Sequence, residues 1–204
     1  MADEAHCAGS QPGGQRREAS GRNSNVFCFA NFSPTILRHE EVGGGSTQQD
    51  HSLRSHLVEL LDGAQAHATF DQVMADFPAR FRGQIPPGLP HSAWMLLEHL
   101  RIAQWDILEF SRNPKYEPPK WPDDYWPKTQ APPTEAAWQN SVHSFRDDLD
   151  AMKKLVNDPK TDLLAKIPWG DGQTLLREVL LVADHNSHHL GQLIDVRRLL
   201  GIWK

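Results

Sequence analysis

Apolar residues return every three to four positions in four long stretches, the spacing of an amphipathic helix with about 3.6 residues per turn. No stretch shows the strict alternation of a half-buried strand. Leu53, Leu57, Leu60 and Leu61 mark the first helix, with Asp50 or Ser52 as its N-cap and Asp62-Gly63 as its break. A shorter piece over 69–77 carries Phe70, Val73, Met74 and Phe77 and stops before Pro78. Residues 80–90, with Pro86-Pro87-Gly88 at their centre, form a loop. The second long helix spans about 92–111 and halts before Asn113-Pro114. Its apolar stripe is Met95, Leu96, Ile102, Ala103 and Phe110, with His99 at the centre. The third opens at Thr134 and repeats Trp138, Val142, Phe145, Leu149, Met152 and Leu155 until Asn157-Asp158-Pro159. The last follows the turn Pro168-Trp169-Gly170-Asp171-Gly172, opens at Thr174 and closes with Gly201 at C′. Four long striped helices predict an all-α chain folded as a four-helix bundle.

Two regions lack the pattern. Residues 1–50 are rich in Gly, Ser, Gln, Asn and charge, and Gly43-Gly44-Gly45-Ser46 resembles a flexible linker. The expected organisation is a disordered tail over 1–50 followed by a bundle over 51–204. An accessory tail and an over-extended reading frame both fit that composition. Residues 112–133 hold Tyr116, Trp121, Tyr125 and Trp126 among many prolines. So many aromatic side chains argue against disorder, and a connection this long argues for a role. It is either a wall or lid over a site or a packed crossover, and the bundle need not be simple up-down-up-down.

The last helix carries the candidate chemistry. His185 and His189 are four residues apart and lie in the apolar stripe of Leu175, Glu178, Leu181, Val182, Gln192, Leu193, Val196 and Leu200. Two imidazoles on one face can bind one metal ion; they can also be hydrogen-bonded core or interface residues. Asn186 stands where a zincin protease has Glu, so a protease is a poor fit. His99 is the best third ligand, and Asp106 lies two turns further along its helix. Burying either among apolar residues is costly unless it is paired or ligates metal. Three neutral imidazoles with one open position are a catalytic pattern, whereas structural zinc usually closes that position with Cys. Cys7 and Cys28 lie in the polar N-terminal region, away from these helices.

Composition narrows the classes. The chain has 204 residues and a net charge of −5, with no basic block, which disfavours a dedicated nucleic-acid binder. No apolar run approaches the roughly 20 residues of a membrane span. Val26-Phe27-Cys28-Phe29-Ala30 is too short for a signal peptide, so the expected location is cytoplasmic. No Gly-rich phosphate loop or Ser-His-Asp spacing is apparent.

The segments Leu96-Leu97-Glu98-His99-Leu100 and Asp184-His185-Asn186-Ser187-His188-His189-Leu190-Gly191-Gln192 give the chain a resemblance to the DinB/YfiT-like family of metal-binding four-helix bundles. The likeness covers about 51–204. It implies His99, His185 and His189 as metal ligands; imidazole ligands suit zinc, the first candidate, with nickel, iron, copper or manganese as others. It also implies thiol-dependent S-transfer or isomerisation, since family members use bacillithiol, mycothiol or glutathione. A metal-dependent hydrolase and a non-catalytic metal-binding stress or sensor protein are the rival readings. The expected partner is a small-molecule substrate. A homodimer through an apolar face near Leu199 or Trp203 is a further expectation.

Supporting roles are open at several positions. Gln192 could hydrogen-bond a ligand or a neighbouring helix. Glu178 could be a general base, an acceptor for an imidazole N–H, or a solvated residue at a helix start. Asp106 could orient a histidine, with an Arg on a neighbouring helix the favoured partner. His67 could face the pocket. His188 falls at the polar edge, and His51, His56, His91 and His143 are assigned to the surface.

Overall fold

Side-chain hydroxyls open three of the long helices. Ser92, Thr134 and Thr174 accept hydrogen bonds from the backbone N–H of Met95, Ala137 and Arg177 at 3.2, 3.0 and 3.2 Å. Each such cap stabilises its helix by about 1 kcal/mol. In this computed structural model, which describes residues 43–203, the α-helices are α1 (Gly43–Asp62), α2 (Phe70–Met74), α3 (Ala93–Arg112), α4 (Glu135–Asn157) and α5 (Leu175–Leu199), with one short 3-10 turn at Ala79–Phe81. Thr69 and Gln72 form a reciprocal capping box on α2. Gly63 and Gly201 take φ of +72° and +69° just past α1 and α5, the left-handed region that ends a helix most cheaply at glycine. Among the described residues there is no strand and no helix long and apolar enough to cross a membrane.

α1 departs from expectation. It begins at Gly43, seven residues before the anticipated cap at Asp50. Asp50 lies inside the helix, where its carboxylate accepts Arg54 Nε at 2.7 Å in an i,i+4 pair. The disorder expected through residue 50 therefore does not hold for 43–50. The rest of that expectation, with Cys7 and Cys28, lies outside the described residues.

The long helices do not simply alternate. α3 packs against both α4 and α5. Glu98 and Gln104 of α3 bond to Ser141 and Phe145 of α4, so these two neighbours run parallel. Trp94, Leu97 and Leu100 at the start of α3 share a core cluster with Leu193 and Val196 at the end of α5, and Leu108 near the end of α3 shares one with Leu175 and Val179 at the start of α5, so α5 runs antiparallel to α3. Arg54 reaches the C-terminal end of α4 while Asp62 accepts Lys153 Nζ, so α1 opposes α4. Parallel neighbours cannot be joined by a tight turn. The chain must travel back along about 30 Å of helix, which is why residues 113–134 form a long crossover.

Burial on two sides also widens the apolar face of α3. Trp94, Leu97, Leu100, Gln104 and Leu108 are buried, while Met95, Ile102 and Phe110 are only half-buried. Leu96, His99 and Ala103 of the inferred stripe are buried as expected, so the core face overlaps that stripe and extends beyond it. The core divides into two apolar clusters. One joins α2, the first half of α3 and α4, and the end of α5 around Phe70, Leu97, Phe145 and Leu193. The other joins α1, the ends of α3 and α4, and the start of α5 around Leu57, Leu108, Met152 and Val179. Polar side chains occupy the level between them. Trp203 packs against the first cluster, whereas Leu199 is exposed.

Candidate metal centre

His99 of α3 and His185 and His189 of α5 meet at that level. One ligand nitrogen from each lies within 4.8 Å of the other two. The Nε2 atoms of His99 and His185 are 3.2 Å apart. Two nitrogens on one tetrahedral zinc, each about 2.05 Å from the metal, would lie about 3.3 Å apart. His99 and His189 are buried and His185 is half-buried.

Their surroundings keep the α5 rings neutral. Burial, with the like charge that protonated neighbours would carry, pulls His185 down to about 3. Burial and the proximity of His99 draw His189 down to about 4, against an opposing hydrogen bond to Gln192. Both rings are therefore unprotonated bases at neutral pH, the form that binds metal.

Hydrogen bonds fix which nitrogen faces inward. His99 Nδ1 lies 2.9 Å from the backbone oxygen of Tyr125, and His189 Nδ1 lies 2.7 Å from Gln192 Oε1. A carbonyl oxygen can only accept, so both Nδ1 atoms carry the proton and both Nε2 atoms present lone pairs. Without a metal, the proton between His99 and His185 then belongs to His185. Gln192 thus orients a ring, and its Nε2 donates to Nε2 of the exposed His188 at 3.1 Å. Such partners tune metal ligands.

The crossover supplies one wall. Trp126 stacks on His99 with ring centroids 4.0 Å apart and planes 1° from parallel. It also stacks on His91 at 4.2 Å. The two readings of this segment are compatible, because a connection required by topology also covers the His99 ring. His91 is half-buried in this stack, not a surface residue; its indole partner is distant in sequence. His67, by contrast, is exposed and does not line the cluster, and His51, His56 and His143 are exposed as expected.

The acidic candidates lie one level away. Asp106 accepts the hydroxyls of Tyr116 and Tyr125, the latter at 2.6 Å, in place of the expected arginine. Burial pushes its carboxyl up to about 6, and the negative charge of Glu178 adds to the rise. Glu178 is 2% exposed, so it is no solvated helix start. Burial raises its pKa, while its 2.7 Å ion pair with Arg177 opposes the rise. That pair directs the carboxylate to Arg177, and its interaction with Asp106 is electrostatic. Periodicity did not point to Tyr125, Trp126 or Gln104. The aromatic residues of the crossover were a signal for the first two.

A family model described as the DinB superfamily matches residues 63–193, well over half of the chain. The match starts just past α1 and includes all three clustered histidines. No curated protein and no solved structure matches significantly. The family match, the all-helical fold and the three-histidine cluster lead to one assignment: the chain belongs to the DinB superfamily.

Proposed function

We propose that this protein is a divalent-metal-dependent enzyme acting on a small molecule, with His99, His185 and His189 as the metal ligands. The observation carrying this reading is the convergence of three buried or half-buried imidazoles, two of whose Nε2 atoms lie 3.2 Å apart. Three imidazoles leave one coordination position open, which suits a reactive centre better than a structural one. Zinc is our first assignment, and nickel, iron, copper or manganese are the alternatives. A divalent ion there would supply Lewis acidity and lower the pKa of a water or thiol that reaches it.

The chain's own contribution is to keep the α5 imidazoles neutral and to hold protons on Nδ1 of His99 and His189. The Trp126 ring covers one face of His99 and excludes water from that side. The reaction we assign is thiol-dependent S-transfer or isomerisation, with a low-molecular-weight thiol and an electrophilic small molecule. Membership of the DinB superfamily supports it. Glu178 and Gln192 remain candidates for roles around the reacting groups, Gln192 through His189.

The first test is metal content of tag-free protein by mass spectrometry, with His99→Ala and His185→Ala/His189→Ala alongside. We expect about one ion per wild-type chain, consistent with a single three-histidine site, and none in either variant. Loaded protein is then given thiols and a panel of electrophiles. Metal-dependent thiol consumption supports the transferase. Ester or amide hydrolysis without thiol assigns the hydrolase instead, and binding without turnover assigns a sensor. Wild-type protein that takes up no metal on reconstitution removes the whole reading.

A further inference from the structure

The crossover is held by short turns of its own, such as Asp124 N–H to the Lys120 carbonyl at 2.9 Å, and near its end by Ser92 and Trp94, which donate to the Gln130 carbonyl and the Thr129 hydroxyl. Residues 113–134 contain no helix or strand, and Pro114, Pro118, Pro119, Pro122, Pro127, Pro132 and Pro133 contribute no backbone donor. Yet Tyr125 sits at the height of His99. Its two ends are gripped by the same helix. The hydroxyl donates to Asp106 Oδ2 at 2.6 Å, and the carbonyl accepts His99 Nδ1–H at 2.9 Å. The other oxygen of Asp106 accepts the Tyr116 hydroxyl. One carboxylate therefore clasps an early and a late part of the crossover. Asp106 follows His99 by seven residues on α3, about 10 Å along the axis and on nearly the same face. Trp126 comes next in the chain and lies flat on the His99 ring.

We propose that Asp106 is a positioning residue for His99: through the Tyr116 and Tyr125 hydroxyls it sets the Tyr125 carbonyl, which keeps the His99 proton on Nδ1 and turns Nε2 toward His185 and His189. Asp106 touches no reacting group. It acts through the backbone of another residue, and its effect is on tautomer and ring orientation. A carbonyl acceptor on the outer nitrogen raises the basicity of the inner one, and losing such a partner typically weakens metal binding 10- to 100-fold. The consequence for metal rests on the metal-centre reading. The clasp and the tautomer do not.

The test uses the full chain and two readouts. Long-range nitrogen–proton NMR of metal-free protein reports the His99 tautomer. Competition with a chromophoric chelator reports zinc affinity. The variants are Tyr116→Phe/Tyr125→Phe, which keeps both rings and the carbonyl, Asp106→Ala, and Asp106→Asn, which keeps one acceptor oxygen. Wild type should show a single Nδ1–H tautomer. The double Phe variant and Asp106→Ala should show a tautomer mixture and at least about tenfold weaker zinc binding, with partial recovery in Asp106→Asn. Unchanged tautomer and zinc affinity within twofold of wild type overturn the proposal, even if the melting temperature falls, because the clasp is then only structural. Should an Ala variant fail to fold, the Phe and Asn variants decide alone. A tautomer shift in protein that never binds zinc keeps the clasp and removes the metal-centre reading instead.

Discussion

Gln104 and His99 lie on the same helix, 1% and 2% exposed, and both are polar where the core is apolar. Their surroundings use them in opposite ways. Gln104 donates to the Phe145 carbonyl of α4 at 2.7 Å and accepts from Asn186 of α5 at 2.8 Å. Its amide is turned outward, to partners on two other helices. His99 commits one nitrogen to the Tyr125 carbonyl and turns the other toward two more imidazoles. Burial alone does not separate a structural polar residue from a ligand. The direction of the remaining donors and acceptors does. Gln104 ties three helices together, whereas His99, His185 and His189 converge ring nitrogens on a point between helices.

That contrast breaks most readily with metal. At a thousandfold excess of zinc over its dissociation constant, wild-type stability should rise by about 4 kcal/mol through mass action. His185→Gln/His189→Gln should show no rise, since the amide side chains are weak ligands. Chemical denaturation with and without zinc measures both. Equal increments in wild type and variant would make these histidines ordinary core residues.

The next effect lies in the neighbouring layer. Gln104→Ala removes a side chain that crosses to α4 and α5 and leaves Asn186 Nδ2 without its acceptor. An unsatisfied buried donor costs about 1–3 kcal/mol, and the vacated volume adds to that. We expect a total loss of about 3 kcal/mol, with the zinc increment unchanged. If Gln104→Ala instead abolished the zinc increment, the two layers would be one functional unit.

Legibility in the sequence followed how local each determinant is. Thr134, Thr174 and Gly201 announced their helix ends because capping is chemistry between near neighbours. His185 and His189 were visible as an i,i+4 pair, and His99 as a histidine within a stripe. Only part of the buried face of α3 was visible, through Leu96, His99 and Ala103. Packing on two sides buries Leu97, Leu100 and Leu108, so no single stripe marks the core. The start of α1 was hidden by Gly43-Gly44-Gly45, whose composition suggests a linker. The acceptor for His99 was hidden for another reason. It is a backbone carbonyl, an atom every residue has, and Tyr125 is 26 residues away. The same holds for His91, whose place depends on stacking against Trp126.

The smallest expected effect separates the layers by acidity. In metal-free protein His185 and His189 are held to about 3 and about 4, below the ordinary 6.5 of an unfolded chain. Between those values the unfolded state binds more protons than the folded one. Stability therefore rises with pH through this window and is lost as pH falls from about 6.5. Between pH 7 and pH 6 the two rings together should account for at most about 1.4 kcal/mol. Gln104 and Asn186 do not titrate, so Gln104→Ala should lower the whole stability curve without changing that slope. His185→Gln/His189→Gln should flatten it. Parallel denaturation curves at pH 7 and 6 distinguish the cases. A double variant that kept the wild-type slope would place the acid sensitivity elsewhere and remove the burial argument for the neutral imidazoles.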